Sequence, residues 1–171
     1  FGENRVQSAL PKIEGLPDDI RWHLIGHLQK NKVKYVIGKF VLIHSVDSSE
    51  LAEEISKRAA MNDYCQDILI EVNTSGELSK FGTNAEGAYS IVEDIMDMPN
   101  IKLRGLMTMA PFIGNEKVIA GCFANLRKLR DDLEEKFGLI LPDLSMGMTN
   151  DYKIAVKEGA TILRVGSAIF K

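Results

Sequence analysis

Cysteine is scarce in this chain of 171 residues: Cys65 and Cys122 are the only two. They stand far apart and outside any ligand-like spacing, so the sequence encodes no zinc framework, and both are expected to be small hydrophobes in a reducing compartment. No apolar run reaches the length of a membrane span, and the chain does not open on a basic segment followed by an apolar one. A cytoplasmic protein without membrane attachment is therefore the expectation. Positive charge is not in excess: 21 Lys and Arg face 24 Asp and Glu, for a net charge of −3. That leaves no global basic field for nucleic acid or acidic lipid. A Gly-x-Gly-x-x-Gly fingerprint is missing after the first strand, which removes the main support for a dinucleotide fold. A Gly-x-Ser-x-Gly elbow is missing too, and with it support for nucleophilic hydrolysis. What is present is a globular composition, 45% hydrophobic and 26% charged with 14 Gly and 5 Pro, which argues against disorder, collagen and low complexity.

Short β-branched and aliphatic segments alternate with longer amphipathic ones, the βαβα pattern of a parallel sheet. Strands are expected at 21–28, 40–46, 67–73, 102–107, 143–145 and 161–165, with Phe1 and Gly2 as the tail of another. Between them the apolar period lengthens to about 3.6 residues, as helices require. Val6, Ala9 and Ile13 mark a first helix. Leu51, Ile55 and Ala59 mark a second, with Asp47, Ser48 or Ser49 as its cap. Thr83 and Glu86 have the spacing of a capping box ahead of Ala88, Ile91, Val92, Ile95 and Met96. Val118, Cys122, Leu126, Leu129 and Leu133 form the most regular stripe, stopped by Gly138. Residues 150–158 read as a short helix and 30–36 as another. A single domain over 1–171 is expected, either an open doubly wound sheet or a (β/α)8 barrel. Six strands and a stub make seven, one βα unit fewer than an eightfold barrel.

Parallel architectures bind ligands at the carboxyl ends of their strands, and those ends are polar here. Asn4, Asn73, Thr108 and the segments SMGMTND and RVGSAIF fall at such ends, where turn formers and helix caps are also favoured. The last two segments read together as an anion cradle: Gly147 and Thr149 at the mouth of one helix, Gly166 and Ser167 at the next turn, with backbone N–H groups free to face a phosphate. Arg164 shares a face with Gly166 under strand alternation, so it reaches either a ligand or a salt bridge at the barrel end. His23 and His27, both placed on a strand, share a face but lack a third metal ligand. His44 sits among apolar neighbours as a hydrogen-bonded core residue. Met107, Met109, Met146 and Met148 read as core filling.

These segments, with FGENRVQ at 1–7, WHLIGHLQKNKVK at 22–34, IHSVDS at 43–48, VNTSGELSKFG at 72–82 and GLMTMAP at 105–111, closely resemble the YggS/PROSC family, the pyridoxal phosphate homeostasis proteins. The resemblance runs through the whole chain in order. It implies a (β/α)8 TIM-type barrel like the N-terminal domain of alanine racemase, without the first βα unit and the C-terminal helix, binding pyridoxal 5′-phosphate (PLP). By position it implies Ser145, Gly147, Met148, Thr149, Gly166 and Ser167 as phosphate-side contacts and Arg164 as the arginine near the pyridine nitrogen. Asn4 and Asn73 are further pocket candidates. The family's PLP-bearing lysine lies on a strand ahead of FGEN, so the resemblance assigns no catalytic residue here, and Lys32, Lys34 and Lys80 do not stand where a replacement would. The implied function is to hold or deliver PLP as a monomer, with PLP-dependent apo-enzymes as recipients and no turnover of its own. An amino-acid racemase and a regulatory barrel remnant without cofactor are the competing expectations.

Overall fold

A computed structural model of the chain describes residues 1–77 and 81–170. Its strands are β1 (Gly2–Glu3), β2 (His23–Leu24), β3 (Leu42–Val46), β4 (Gln66–Glu71), β5 (Ile101–Met107), β6 (Asp143–Met148) and β7 (Ile162–Arg164). All pair in parallel and in chain order, β1 through β7. Helices α1 (Val6–Gly15), α2 (Ser49–Met61), α3 (Ala85–Ile95), α4 (Glu116–Phe137) and α5 (Tyr152–Lys157) occupy the crossovers, and a 3-10 segment at Lys30–Tyr35 links β2 to β3. Three ladder steps separate β3 from β6, about 14 Å across a flat sheet. His44 of β3 nevertheless lies 2.8 Å from Ser145 of β6. The sheet is therefore rolled into a barrel wall, with the interior on one face and the helices on the other.

Strand alternation divides the apolar residues accordingly. Ile43, Ile68, Ile70, Leu106, Leu144 and Met146 face outward into the core shared with Leu51, Ile55, Ile91, Phe123, Leu126 and Leu133 of the helices. A smaller cluster of Leu42, Leu69 and Met107, joined by Val41, Met109 and Ile162, fills the inside. The methionine expectation holds for Met107 and Met146, which are fully buried, and fails for Met148, which is exposed.

Several expectations are displaced for local reasons. The strand expected at 21–28 is two residues long, because the chain leaves the sheet at Gly26, where a Cβ would meet the Asn4 carbonyl oxygen at 2.2 Å. His23 and His27 consequently do not share a strand face. The strand expected at 143–145 runs on to Met148, which places Gly147 and Met148 in β6 rather than in the following turn. Ser48 caps α2 by accepting from the Leu51 amide at 3.3 Å. The cap of α3 is Asn84, which accepts from Gly87, and not Thr83: the Thr83 amide is held by the Glu71 carbonyl at 2.9 Å. In α4 the buried stripe begins at Ile119, leaving Val118 exposed. No described helix is long and apolar enough to cross a membrane.

Candidate functional site

Polar side chains are costly inside a barrel unless they meet one another. Here they form a continuous series. His23 Nδ1 lies 3.0 Å from His44 Nε2, and His44 Nδ1 lies 2.8 Å from Ser145 Oγ. Arg164 donates from Nη1 to Ser145 Oγ at 2.7 Å and from Nη2 to the Thr108 carbonyl at 2.8 Å. The Thr108 hydroxyl donates to the Val72 carbonyl at 2.7 Å, so its oxygen accepts from Thr74 at 2.9 Å. Two of the five guanidinium N–H donors are thereby spent. Burial lowers Arg164 to about 10, opposed by the nearby Glu71 and Asp151 carboxylates, so it keeps its charge at neutral pH.

Glu71 ends β4 on the inward face and is 2% exposed. Burial first, then the neighbouring Asp47 carboxylate, push it up to about 7, against the pull of Arg164. Asp47 is itself raised, by burial foremost, while His27 at 3.8 Å draws it down. A carboxyl raised in the folded state contributes stability that is fully present below its ordinary value of 4.5 and lost as pH rises through 7. Glu71→Gln, which mimics the protonated acid, is therefore expected to stabilise the fold by roughly 2–3 kcal/mol at pH 8 and to leave it nearly unchanged at pH 4. Denaturant melts at the two pH values check this; equal shifts at both would contradict it. His44 acts in the opposite direction. Burial, with His23 and Arg164 beside it, lowers it to about 2, so its contribution is complete above its ordinary value of 6.5 and is lost as pH falls.

Above this layer two turns meet. Thr149 Oγ1 accepts from the Gly166 amide at 3.4 Å and from the Ser167 hydroxyl at 3.3 Å. Among the described residues, the amides of Thr149, Ser167 and Ala168 donate to no protein acceptor. Those of Ile169 and Phe170 are taken by the Gly166 carbonyl. The Met148 amide is taken as well, by Asp151 Oδ1 at 2.5 Å, so Met148 offers no backbone donor. Gly147 has φ +90°, and a Cβ there would lie 2.5 Å from that of Ala155: the residue is required by the packing of β6 on α5. At six residues α5 is also too short to lend the turn much dipole. Ser145 is fully buried one layer down and holds Arg164, so it does not stand among the mouth donors.

The other candidates separate from this group. Asn4 is exposed beyond β1. Asn73 uses its side chain on its own loop, donating to the Glu77 carbonyl at 2.8 Å and accepting from the Ser75 amide at 3.2 Å and hydroxyl at 2.9 Å. His27 stacks on Phe81, with ring centroids 4.3 Å apart. Among the described residues no cluster of three His, Cys, Asp or Glu could hold a metal. Lys34 lies over the Tyr35 ring, and Lys80 lies outside the described residues. A cavity of about 440 Å³ beside the mouth, lined by Pro111, Phe112, Met148 and Ile154 together with Glu116 and Asp151, shares only Met148 with the candidate group. Sequence reasoning missed the roles of His23, Thr74, Glu71 and Asp151. The spacing of Asp151 behind Met148 was a local cue to a side chain folding back on the turn.

Comparison with known proteins gives the chain a family. The sequence profile of the alanine racemase N-terminal domain family matches residues 1–171. The pyridoxal phosphate homeostasis protein of Aquifex aeolicus is 50% identical over 171 residues, covering 99% of this chain and 75% of the relative. That of Vibrio cholerae is 37% identical over 175 residues, covering 99% of this chain and 74% of the relative. The structure of PipY from Synechococcus elongatus with PLP bound superposes with a TM-score of 0.91 at 35% identity, covering 100% of this chain and 81% of that one. Alanine racemase of Clostridium difficile in complex with cycloserine shares the fold alone, at 13% identity and a TM-score of 0.81 over 96% of this chain and 45% of that one. A full-length profile match and a half-identical relative place the chain in the alanine racemase N-terminal domain family, among the pyridoxal phosphate homeostasis proteins.

Proposed function

We propose that this chain holds PLP at the carboxyl-terminal mouth of its barrel as one PLP-binding domain over 1–171. It retains the cofactor or hands it on to PLP-dependent apo-enzymes in the cytoplasm, as a monomer and with no turnover reaction of its own. The observation that carries the reading is the meeting of the Thr149 and Ser167 hydroxyls at 3.3 Å beside free backbone amides, directly above a guanidinium with donors to spare.

That donor set fits PLP. N–H and O–H donors suit a phosphate dianion, the nearby Asp151 carboxylate being occupied by the Met148 amide, and Thr149, Ser167 and the amide of Ala168 would hold it. Arg164 would face the ring. When bound, PLP supplies a reactive aldehyde and a pyridine ring that withdraws electrons when its nitrogen is protonated. Arg164, at about 10, keeps its proton and offers only hydrogen bonds, so it does not deliver a proton to such a nitrogen. Ser145 and the Thr108 carbonyl hold the guanidinium in place, and the inward Leu42, Leu69 and Met107 close the interior beneath it. These residues bind and orient a cofactor while leaving its electron-withdrawing capacity weak, as suits a carrier.

The double substitution Thr149→Val with Ser167→Ala is expected to weaken PLP retention at least about tenfold while leaving binding of unphosphorylated pyridoxal unchanged. Equilibrium dialysis of the two vitamers measures the contrast. Equal losses for both, or none for PLP, would overturn the phosphate assignment.

A further inference from the structure

We infer that a one-way hydrogen-bond chain through the barrel interior, Arg164 to Ser145 to His44 to His23, seats Arg164, with His44 as its positioning residue and both imidazoles neutral and protonated on Nε2. The direction follows from donor arithmetic. A guanidinium only donates, so Ser145 Oγ accepts from Arg164 at 2.7 Å. Ser145 is fully buried, and its own hydroxyl hydrogen has one partner left among the described residues, His44 Nδ1 at 2.8 Å. His44 Nδ1 is therefore the acceptor, and its ring proton sits on Nε2 and points to His23 Nδ1 at 3.0 Å. His23 in turn carries its proton on Nε2. It lines a small cavity of about 160 Å³ with Arg21, Asp67, Arg104 and Asp143 at the amino-terminal end of the barrel.

Reversing the chain would leave the Ser145 hydroxyl buried without an acceptor. Adding a proton to it would set cation against cation. His44 faces His23 on one side and Arg164 on the other; His23 faces Arg21, with Asp143 opposing it. Burial lowers both rings in the same sense. His44 touches no mouth donor, so its effect on a ligand runs entirely through the orientation of Ser145 and Arg164. The consequence for the ligand rests on the function proposed above; the direction of the chain does not.

Two measurements test it. Nitrogen-15 NMR of the histidine rings in the full chain without added ligand, from about pH 5 to pH 8, is expected to show His44 untitrated with its proton on Nε2, and His23 with its proton on Nε2 at pH 8. A His44 proton on Nδ1, or titration of His44 within that range, would overturn the inference. His44→Leu is expected to weaken PLP retention about tenfold, and His44→Asn, whose Oδ1 can still accept from Ser145, to restore it to within about threefold. If the two variants melt lower but retain PLP alike, His44 is structural and the positioning role fails. Should His44→Leu not fold, Ser145→Ala, which removes the donor to His44 Nδ1, must shift the His44 Nδ1 resonance, and an unchanged resonance refutes the link. A parent chain that does not retain PLP would defeat the function proposed above and leave the NMR result standing.

Discussion

Replacing Gly105 with alanine is expected to cost about 3–5 kcal/mol, a large share of the roughly 5–15 kcal/mol by which domains are stable. Gly105 lies within β5, flanked by Leu69 of β4 and Asp143 of β6, at a point where the β4–β5 register shifts. Its φ is +154°, and a Cβ there would stand 1.8 Å from the Asp143 carbonyl oxygen and 2.7 Å from the carbonyl carbon. Backbone on a paired strand has no side-chain freedom with which to retreat, so the clash must open the β5–β6 ladder. Gly121, within α4, provides the contrast, since a methyl group added there would meet nothing within 4 Å. Gly121→Ala is expected to raise stability by about 0.5–1 kcal/mol through helix propensity alone. Urea melts of the two variants measure both. Similar midpoints would show that the β5–β6 contact yields more easily than its geometry implies.

The second large effect is expected at Arg164. Arg164→Met should reduce PLP retention about a hundredfold, and Arg164→Lys should recover little of it, because an ammonium cannot reach Ser145 Oγ and the Thr108 carbonyl together while still presenting donors to a ligand. Removing the guanidinium also takes away the cation that holds Glu71 down. Glu71 then moves further up, and the destabilisation of Arg164→Met should be greater at pH 8 than at pH 5. Equilibrium dialysis reads the first effect and denaturant melts at the two pH values the second. Full retention by Arg164→Met would remove the guanidinium from the binding account altogether.

The order of strands and helices was readable because each obeys its own period, and tertiary structure then selected among near-equivalent residues. The α4 stripe held at Cys122, Leu126, Leu129 and Leu133, and only its first position moved, from Val118 to Ile119. The cap of α3 moved from Thr83 to Asn84 because β4 claimed the Thr83 amide, a demand made from outside the helix. At the site, residues at strand ends could be named from position alone, so Thr149, Gly166 and Ser167 were found together. Met148, the last residue of β6, and Asn73 were misjudged on local grounds: each hydrogen-bonds to the segment that follows it, through Asp151 in one case and Ser75 in the other. The interior series could not have been read in this way. His44 and Ser145 are 101 residues apart, and only the rolling of the sheet makes them neighbours. Glu71 was hidden for a related reason: two places after Leu69, it shares that residue's inward face, and an inward carboxylate becomes conspicuous only once the inside of the barrel is defined.

Arg164 enters the interior on β7, which is three residues long and, among the described residues, pairs only with β6. Its side-chain bonds to Ser145 and Thr108 are lateral ties that fasten this short strand to the body of the wall, reaching past β6 to the end of β5. Whatever loosens that strand also unseats the guanidinium, and whatever grips the guanidinium from the mouth holds the strand in place.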